Sequence, residues 1–382
     1  MLRSIGAHLA ADGHEVTVLT AQPSYTKATA ERKMPRHQEL DGFHVKRVRL
    51  LPESKRNYAV RALNMLFFMC AIASHILFRR KNNRYDLAMA STMPPVLVAA
   101  AARKCVHLRG GKFFYHMMDI YPEIALTSGM AKKGFLTNSL ARIDRNNCAK
   151  AERVIVLSSD MRDAVVARGI PTTNVEVLNN FQLQSFDGEG CMPEGLEKPE
   201  GSFRILFAGN LGRFQGLETM LEAMALLEDL PAVRFDLLGD GVGREGLEKL
   251  AGSRLDRSIF FHGYHPIENT MHVIKTCDLG LIALNPDIYR HAYPSKTMTY
   301  LGVGAPILLV IEAESELAQM VARERIGYHV AQNNPEALAA VIRQAYIERA
   351  ELDGMRMRSK ALAERSFTAE AVLPRWSELV KL

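Results

Sequence analysis

Cysteine is scarce in this chain, and its spacing excludes the common uses of the residue. Five cysteines stand at positions 70, 105, 148, 191 and 277, with no C-x-x-C pair. Structural zinc is therefore disfavoured. An odd number at wide spacing suits a reducing compartment, and no cleavable leader pattern opens the chain, so a cytoplasmic protein is expected. Signature motifs are missing as well. There is no G-x-S-x-G elbow, H-E-x-x-H or Walker A sequence, and no G-x-G-x-x-G follows the first strand pattern. Serine hydrolase, zinc protease, P-loop NTPase and dehydrogenase are disfavoured accordingly. The basic residues lack interleaved aromatics, which argues against a nucleic-acid partner.

Long apolar runs are equally few. Residues 62–78, ALNMLFFMCAIASHILF, form one, with Asn64, Ser74 and His75 inside it. A spanning helix needs about 20 apolar residues. The run predicts a buried or interface-lying helix instead. Arg61 precedes it, and Arg79, Arg80 and Lys81 follow, a flank that suits anionic lipid.

What is present is apolar content sufficient for folded cores, at 48% of 382 residues, and a lopsided charge. Residues 1–190 carry 27 Lys and Arg against 16 Asp and Glu, a net +11; the remainder carries 21 against 26, a net −5. A basic first half is expected to face something anionic, the cytoplasmic membrane surface being one candidate.

Short apolar strands alternate with amphipathic helices along the chain. Strands are expected at 43–50, 86–90, 112–116 and 153–157, then at 203–208, 233–238, 258–262, 278–283 and 306–311. This alternation implies parallel sheets covered by helices. Residues 183–202 are rich in Gly, Pro and Glu and read as a linker. The expected domains are 1–182, the linker 183–202, a second domain 203–366, and a helix in 367–382 crossing back to the first. Ligands of such sheets bind beyond the carboxyl ends of the strands, so a cleft between the domains is the expected site.

Several strand ends there carry candidate chemistry. The strand 203–208 runs into Gly209, Asn210, Gly212 and Arg213, a turn that lets backbone approach an anion while Arg213 neutralises it. Taken alone it also reads as an ordinary tight turn. Gly239 and Gly263-Tyr264 end two further strands. Pro294-Ser295 reads as a helix start, with Ser295 as the cap and Lys296 in the first turn. A phosphate would explain a lysine there, and so would plain solvation. His116 and Asp119 follow the strand 112–116, where they suit acid–base or positioning roles; a core histidine and a capping aspartate are the structural alternatives.

The stretches FAGNLGRFQGLETMLEA (207–223), LLGDGVGREGLEKLA (237–251), PSKTMTYLGVGAPIL (294–308), AHLAADGHEVTVLT (7–20) and YHMMDIYPE (115–123) together resemble the retaining GT-B glycosyltransferases of glycosyltransferase family 4. The flavour is that of members building bacterial surface polysaccharides, of the fucosamine-transferase type. The resemblance implies an α/β fold with two Rossmann-like domains facing a cleft. It implies a nucleotide-sugar donor, a UDP-sugar by preference, and a lipid-linked or growing glycan acceptor. No metal and no other cofactor is expected. Gly209 and Gly212 would lie against the donor diphosphate, with Arg213 and Lys296 supplying positive charge and Asn210 also binding the donor. Gly239, Gly263 and Tyr264 would line the nucleoside pocket, beside Ser295 and Thr299. His116 and Asp119 would be catalytic, facing the transferred sugar. Where the family usually carries two Glu, this chain has His291 and Thr299, and Gln215 replaces a usual Lys. The family also begins with a strand ahead of the helix AHLAADGH, so the first domain is expected to lack its N-terminal strand. A non-catalytic or truncated chain that binds nucleotide sugar without turnover is the other reading. A GT-B epimerase is disfavoured.

Overall fold

The computed structural model describes residues 1–22, 34–51, 58–80, 84–92, 96–182, 191–212 and 214–381. Two compact units divide the chain. The first holds Met1–Leu126, Ala131–Asn179 and Val372–Leu382; the second holds Thr127–Met130 and Asn180–Ala371.

The first unit opens on the helix Leu2–Ala11, then β1 (Thr17–Ala21), β2 (His37–Leu40) and β3 (Phe43–Val48). These strands form one sheet of order β1-β3-β2. β2 was not expected from the sequence and runs antiparallel to β3. A separate parallel sheet of order β4-β5-β6-β7 follows, from β4 (Leu87–Ser91), β5 (Lys112–Met117), β6 (Arg153–Val156) and β7 (Val175–Val177). Among the described strands, β1 pairs only with β3, and β4 only with β5. The unit therefore contains two sheets where an uninterrupted Rossmann sheet would have one.

The centre of the second sheet is β5, whose residues from Phe113 to Met117 are all buried. Tyr115 donates to the buried carboxylate of Asp144 at 2.5 Å, and Arg168 bridges Asp144 at 2.7 Å and Glu123 at 2.5 Å. This chain of charges ties the helix Phe135–Ala149 to the sheet. Setting opposite charges against one another in this way offsets part of the cost of burying them.

In the second unit, β8 (Phe203–Ala208), β9 (Val233–Leu238), β10 (Ile259–Gly263), β11 (Leu279–Ala283), β12 (Ile307–Val310) and β13 (Gly327–Val330) make a six-stranded sheet. All pairings are parallel, and the order is β10-β9-β8-β11-β12-β13. β11 and β12 are buried along their whole length, as strands covered on both faces must be. The order reverses between β8 and β11. Chain leaving β8 turns to one side and chain leaving β11 to the other, which opens a crevice at their carboxyl ends.

The division into units differs from the expected boundaries at 180–182 and at 191–202, which fall in the second unit. Residues 183–190 lie outside the described residues, but 191–202 belong to the second unit. Leu196 is buried there, and Arg204 donates to the carbonyls of Leu196 and Glu197, each at 2.9 Å. The buried guanidinium needs acceptors, and this segment supplies them. The last helix, Ala369–Val380, joins the first unit from Val372 onward. Arg375 reaches Glu176 at 3.0 Å, Ser377 donates to Asp12, and Trp376 is buried.

Candidate active site

Three neighbouring strand ends of the second unit interlock. Gly209 follows β8, Gly239 follows β9, and Gly263 ends β10. Gly239 donates its N–H to the Gly263 carbonyl at 2.6 Å, and Gly209 donates to the Leu238 carbonyl at 2.8 Å. Gly239 has φ +136°, and a Cβ on it would lie 1.9 Å from the Gly209 carbonyl oxygen. No side chain fits between these two turns, so the requirement for glycine is steric as well as conformational. One layer further out, Leu211 donates to the Asp240 carbonyl at 3.0 Å, and Gly243 to the Leu211 carbonyl at 2.9 Å. The result is a rigid wall of backbone with Gly209 and Asn210 exposed along it.

Lys296 closes this wall from the other side of the crevice. It begins the helix Lys296–Gly302, in the connection from β11 to β12. Its Nζ meets Gln215 Oε1 at 3.1 Å and sits 4.4 Å from the centre of the Phe207 ring. A Cβ on Gly209 would lie 3.2 Å from that same Nζ. Gly209 thus gives the ammonium room to lie over the strand end. Loss of water around the group lowers its pKa to about 8. A partly exposed cation with a neutral amide as its hydrogen-bonding partner is set to receive an anion. Among the described residues no group of three His, Cys, Asp or Glu could hold a metal ion.

The supporting groups come from far along the chain. Tyr300 is fully buried, and its hydroxyl accepts from the Ala208 N–H at 2.9 Å, which fixes the last residue of β8 before the turn. Asn285 donates its N–H to the Phe214 carbonyl at 2.8 Å, joining the loops after β8 and β11. Beneath the turns, the carboxylate of Asp236 on β9 is 1% exposed and receives Arg204 at 3.1 Å, Arg234 at 2.6 Å and His262 at 2.5 Å. Burial alone would raise its pKa; the hydrogen bonds of His262 and Arg234 and the charge of Arg204 hold it below the usual value.

The structure thus brings Gly209, Asn210, Gly212, Gly239, Gly263 and Lys296 together in one unit. Tyr264 stands exposed beyond β10, and Thr299 lies half-buried one turn after Lys296. Ser295 is a correction: its backbone is already helical and its side chain makes no capping bond, so it precedes the helix without capping it. Arg213 lies outside the described residues. Gln215 as the partner of Lys296 and the Asp236 cluster were not anticipated. The substitution of Gln for the usual Lys at 215 was the available signal.

His116 and Asp119 belong to the first unit and fare differently from one another. His116 is fully buried, edge-on to Trp376 with ring centres 5.1 Å apart. Neither ring nitrogen has a hydrogen-bond partner among the described residues. Burial lowers its pKa to about 4, which leaves a neutral ring. The expectation that His116 faces the transferred sugar is therefore not met, because the ring is enclosed. The side chain of the last helix covers the ring. Asp119 is partly exposed, and Thr92 Oγ1 accepts from its N–H at 3.2 Å. Desolvation raises its pKa to about 6, the range of a general acid or base near neutrality.

Comparison with known proteins places these observations. Residues 1–180 match the family described as glycosyl transferase 4-like domain, and residues 192–362 match glycosyl transferases group 1. WcaI of Escherichia coli (strain K12), named as a glycosyl transferase of colanic acid biosynthesis, is 27% identical over 378 residues, covering 96% of this chain and 91% of its own. WbjE of Pseudomonas aeruginosa, named as a glycosyltransferase, is 24% identical over 76% of this chain and 73% of its own. The crystal structure of Anabaena HepE in complex with UDP shares the fold at a TM-score of 0.67 and 16% identity, covering 88% of this chain and 86% of that one.

Proposed function

The chain is a glycosyltransferase of the GT-B fold, joining a glycosyl transferase 4-like domain to a glycosyl transferases group 1 domain, and on that premise we propose that it transfers a sugar, with retention, from a UDP-sugar onto a lipid-linked or growing polysaccharide acceptor in the cytoplasm. The observation that carries this reading is the meeting of Lys296 with the interlocked turns at Gly209, Gly239 and Gly263. Backbone N–H groups and one cation at a sheet switch point are suited to a diphosphate. Lys296, with Arg213, would offset its charge without a divalent cation.

In this reaction the acceptor hydroxyl oxygen bonds to the anomeric carbon as the bond to the diphosphate breaks. The hydroxyl proton passes to the departing diphosphate oxygen. Lys296 stabilises the negative charge that grows on the leaving group, where a preorganised cation acts most strongly. Of the two residues expected to be catalytic, Asp119 keeps the raised pKa of a proton-transfer group, whereas His116 is covered.

The test is a screen of UDP- and GDP-sugars by calorimetry in the presence of EDTA, followed by hydrolysis and transfer assays. Binding of a UDP-sugar that Lys296→Ala weakens at least about tenfold, with turnover, supports the reading. Donor binding without hydrolysis or transfer favours a chain that binds nucleotide sugar without turnover. The covered His116 is the observation on that side. Failure of every nucleotide sugar to bind removes both.

A further inference from the structure

The helix Tyr58–Leu77 of the first unit has two faces with opposite surroundings. Asn64, Phe68, Ile72 and Ile76 recur every four residues and are all buried, and the helix packs against the helix Leu97–Leu108. Polar contacts pin it near both ends. The Asn64 side chain accepts from the Leu51 N–H at 2.8 Å and donates to the Leu51 carbonyl at 3.0 Å, while His75 lies 2.7 Å from the Tyr85 hydroxyl. These contacts hold the helix to the unit along its length. Although it is long and apolar enough to cross a membrane, spanning would break all of them.

The other face is bare. Leu63, Leu66, Phe67 and Cys70 fall within an arc of about 100° at 3.6 residues per turn, and all four are exposed, Leu66 at 53% and Phe67 at 43%. Phe78, just past the helix end, is 85% exposed. Contiguous apolar surface of this kind on a folded unit marks a contact with something else. The charges around it identify that partner. Residues 58–80 contain no Asp or Glu; Arg61 near the start and Arg80 at the end are exposed, while Arg79 is paired with Glu15 at 3.1 Å and lies over the Tyr85 ring. A second copy of the chain would set arginines against arginines with no carboxylate on either helix. A bilayer interface answers both features: acyl chains receive the apolar side chains, and lipid phosphates receive the arginines.

We propose that the outward face of Tyr58–Leu77 seats the first unit on an anionic lipid surface, the helix lying in the plane of the interface. This goes beyond the transfer reaction and does not depend on it, because binding is read without donor or acceptor. The experiment is flotation of the full chain with phosphatidylcholine vesicles, with and without phosphatidylglycerol, at low and high salt. The protein should float with the anionic vesicles at low salt. Leu66→Glu/Phe67→Glu should lower partitioning on the order of tenfold or more. Arg61→Gln/Arg80→Gln should weaken it chiefly at low salt. All four positions are exposed, so far-UV circular dichroism and Trp376 emission should stay unchanged in both variants. No flotation at low salt, or flotation of the Glu variant equal to that of the parent, overturns the proposal. So does a dimer in sedimentation that the Glu variant breaks without any vesicle binding, which would assign the face to a second copy.

Discussion

Lys296 holds its proton at a cost, because its surroundings favour the neutral form. With the pKa lowered to about 8, that cost is fully present below pH 8 and is relieved as the pH rises toward the unfolded value near ~10.4. A bound diphosphate would use the same charge. Donor nucleotide affinity should therefore fall as the pH rises through about 8, and Lys296→Ala should weaken it by about 10- to 150-fold and flatten the profile. Isothermal titration between pH 6.5 and 9.5 (~three units, centred on the shift) reads both effects; Arg213→Ala should lower affinity by a similar factor across this range and keep the fall through about 8. Asp236 stands in a different position, since its carboxylate is buried among Arg204, Arg234 and His262. Its folded pKa is depressed, so its contribution to stability is present above about 3.9 and is lost as the pH falls through the folded value. Asp236→Ala would leave Arg204 buried without a counter-charge, a loss of about 3–5 kcal/mol in the unfolding free energy of the second unit, read by chemical denaturation. His116 works in the opposite sense to Asp119. A neutral buried imidazole costs stability as the pH falls from about 6.5 to about 4, whereas the raised pKa of Asp119 relieves a cost over part of that range. Comparing the parent with His116→Phe over that window isolates the histidine. The variant should lose less stability on acidification.

At the scale of elements, the interlocked turns and the last helix matter most. A side chain at 239 meets the Gly209 carbonyl at 1.9 Å and must also adopt φ +136°. Gly239→Ala should therefore separate the ends of β8 and β9, cost about 1–3 kcal/mol, and abolish nucleotide binding even with Lys296 intact. Calorimetry and a thermal melt of the same variant check the two effects together. The last helix contributes to the first unit through Trp376, which is 2% exposed and lies against His116. Trp376→Ala should cost about 3–5 kcal/mol and open the imidazole to solvent. A rise of the His116 pKa toward its ordinary value, followed by NMR, is the expected signature.

For the molecule as a whole, the two units can be watched separately. Trp376 is the chain's single tryptophan and belongs to the first unit. Its emission should follow unfolding of that unit alone, while far-UV circular dichroism follows both. A UDP-sugar held by the turns of the second unit should raise the circular dichroism transition by mass action and leave the tryptophan transition nearly unmoved. Equal shifts of the two signals would mean that the units unfold as one. The division of charge follows the same boundary closely: the net +11 of residues 1–190 contains the arginines at the ends of Tyr58–Leu77, and the net −5 of the remainder contains the interlocked turns. Lys296 thus sits at the interlocked turns within a half of the chain whose net charge is negative.

Much of this was written in short stretches of sequence. The strands 203–208 and 233–238 and the final helix were legible because their periodicity is local. Each sits among residues whose own conformation demands the same answer. The glycines at 209, 239 and 263 were legible as turns for the same reason. β2, β7 and β13, with four, three and four residues, were not, because strands so short carry too little pattern and exist only through their partners. Nor was the pairing of Lys296 with Gln215, 81 residues apart, or the gathering of three basic side chains on Asp236. His116 shows the division most clearly. Its sequence neighbourhood reads equally well as a site or a core, and the last helix decided the matter by laying Trp376 over the ring. Sequence alone determined which residues turn, extend or coil, since those preferences belong to a few adjacent bonds. Tertiary structure decided which side chains meet and which lose water, because burial depends on segments that only folding brings together.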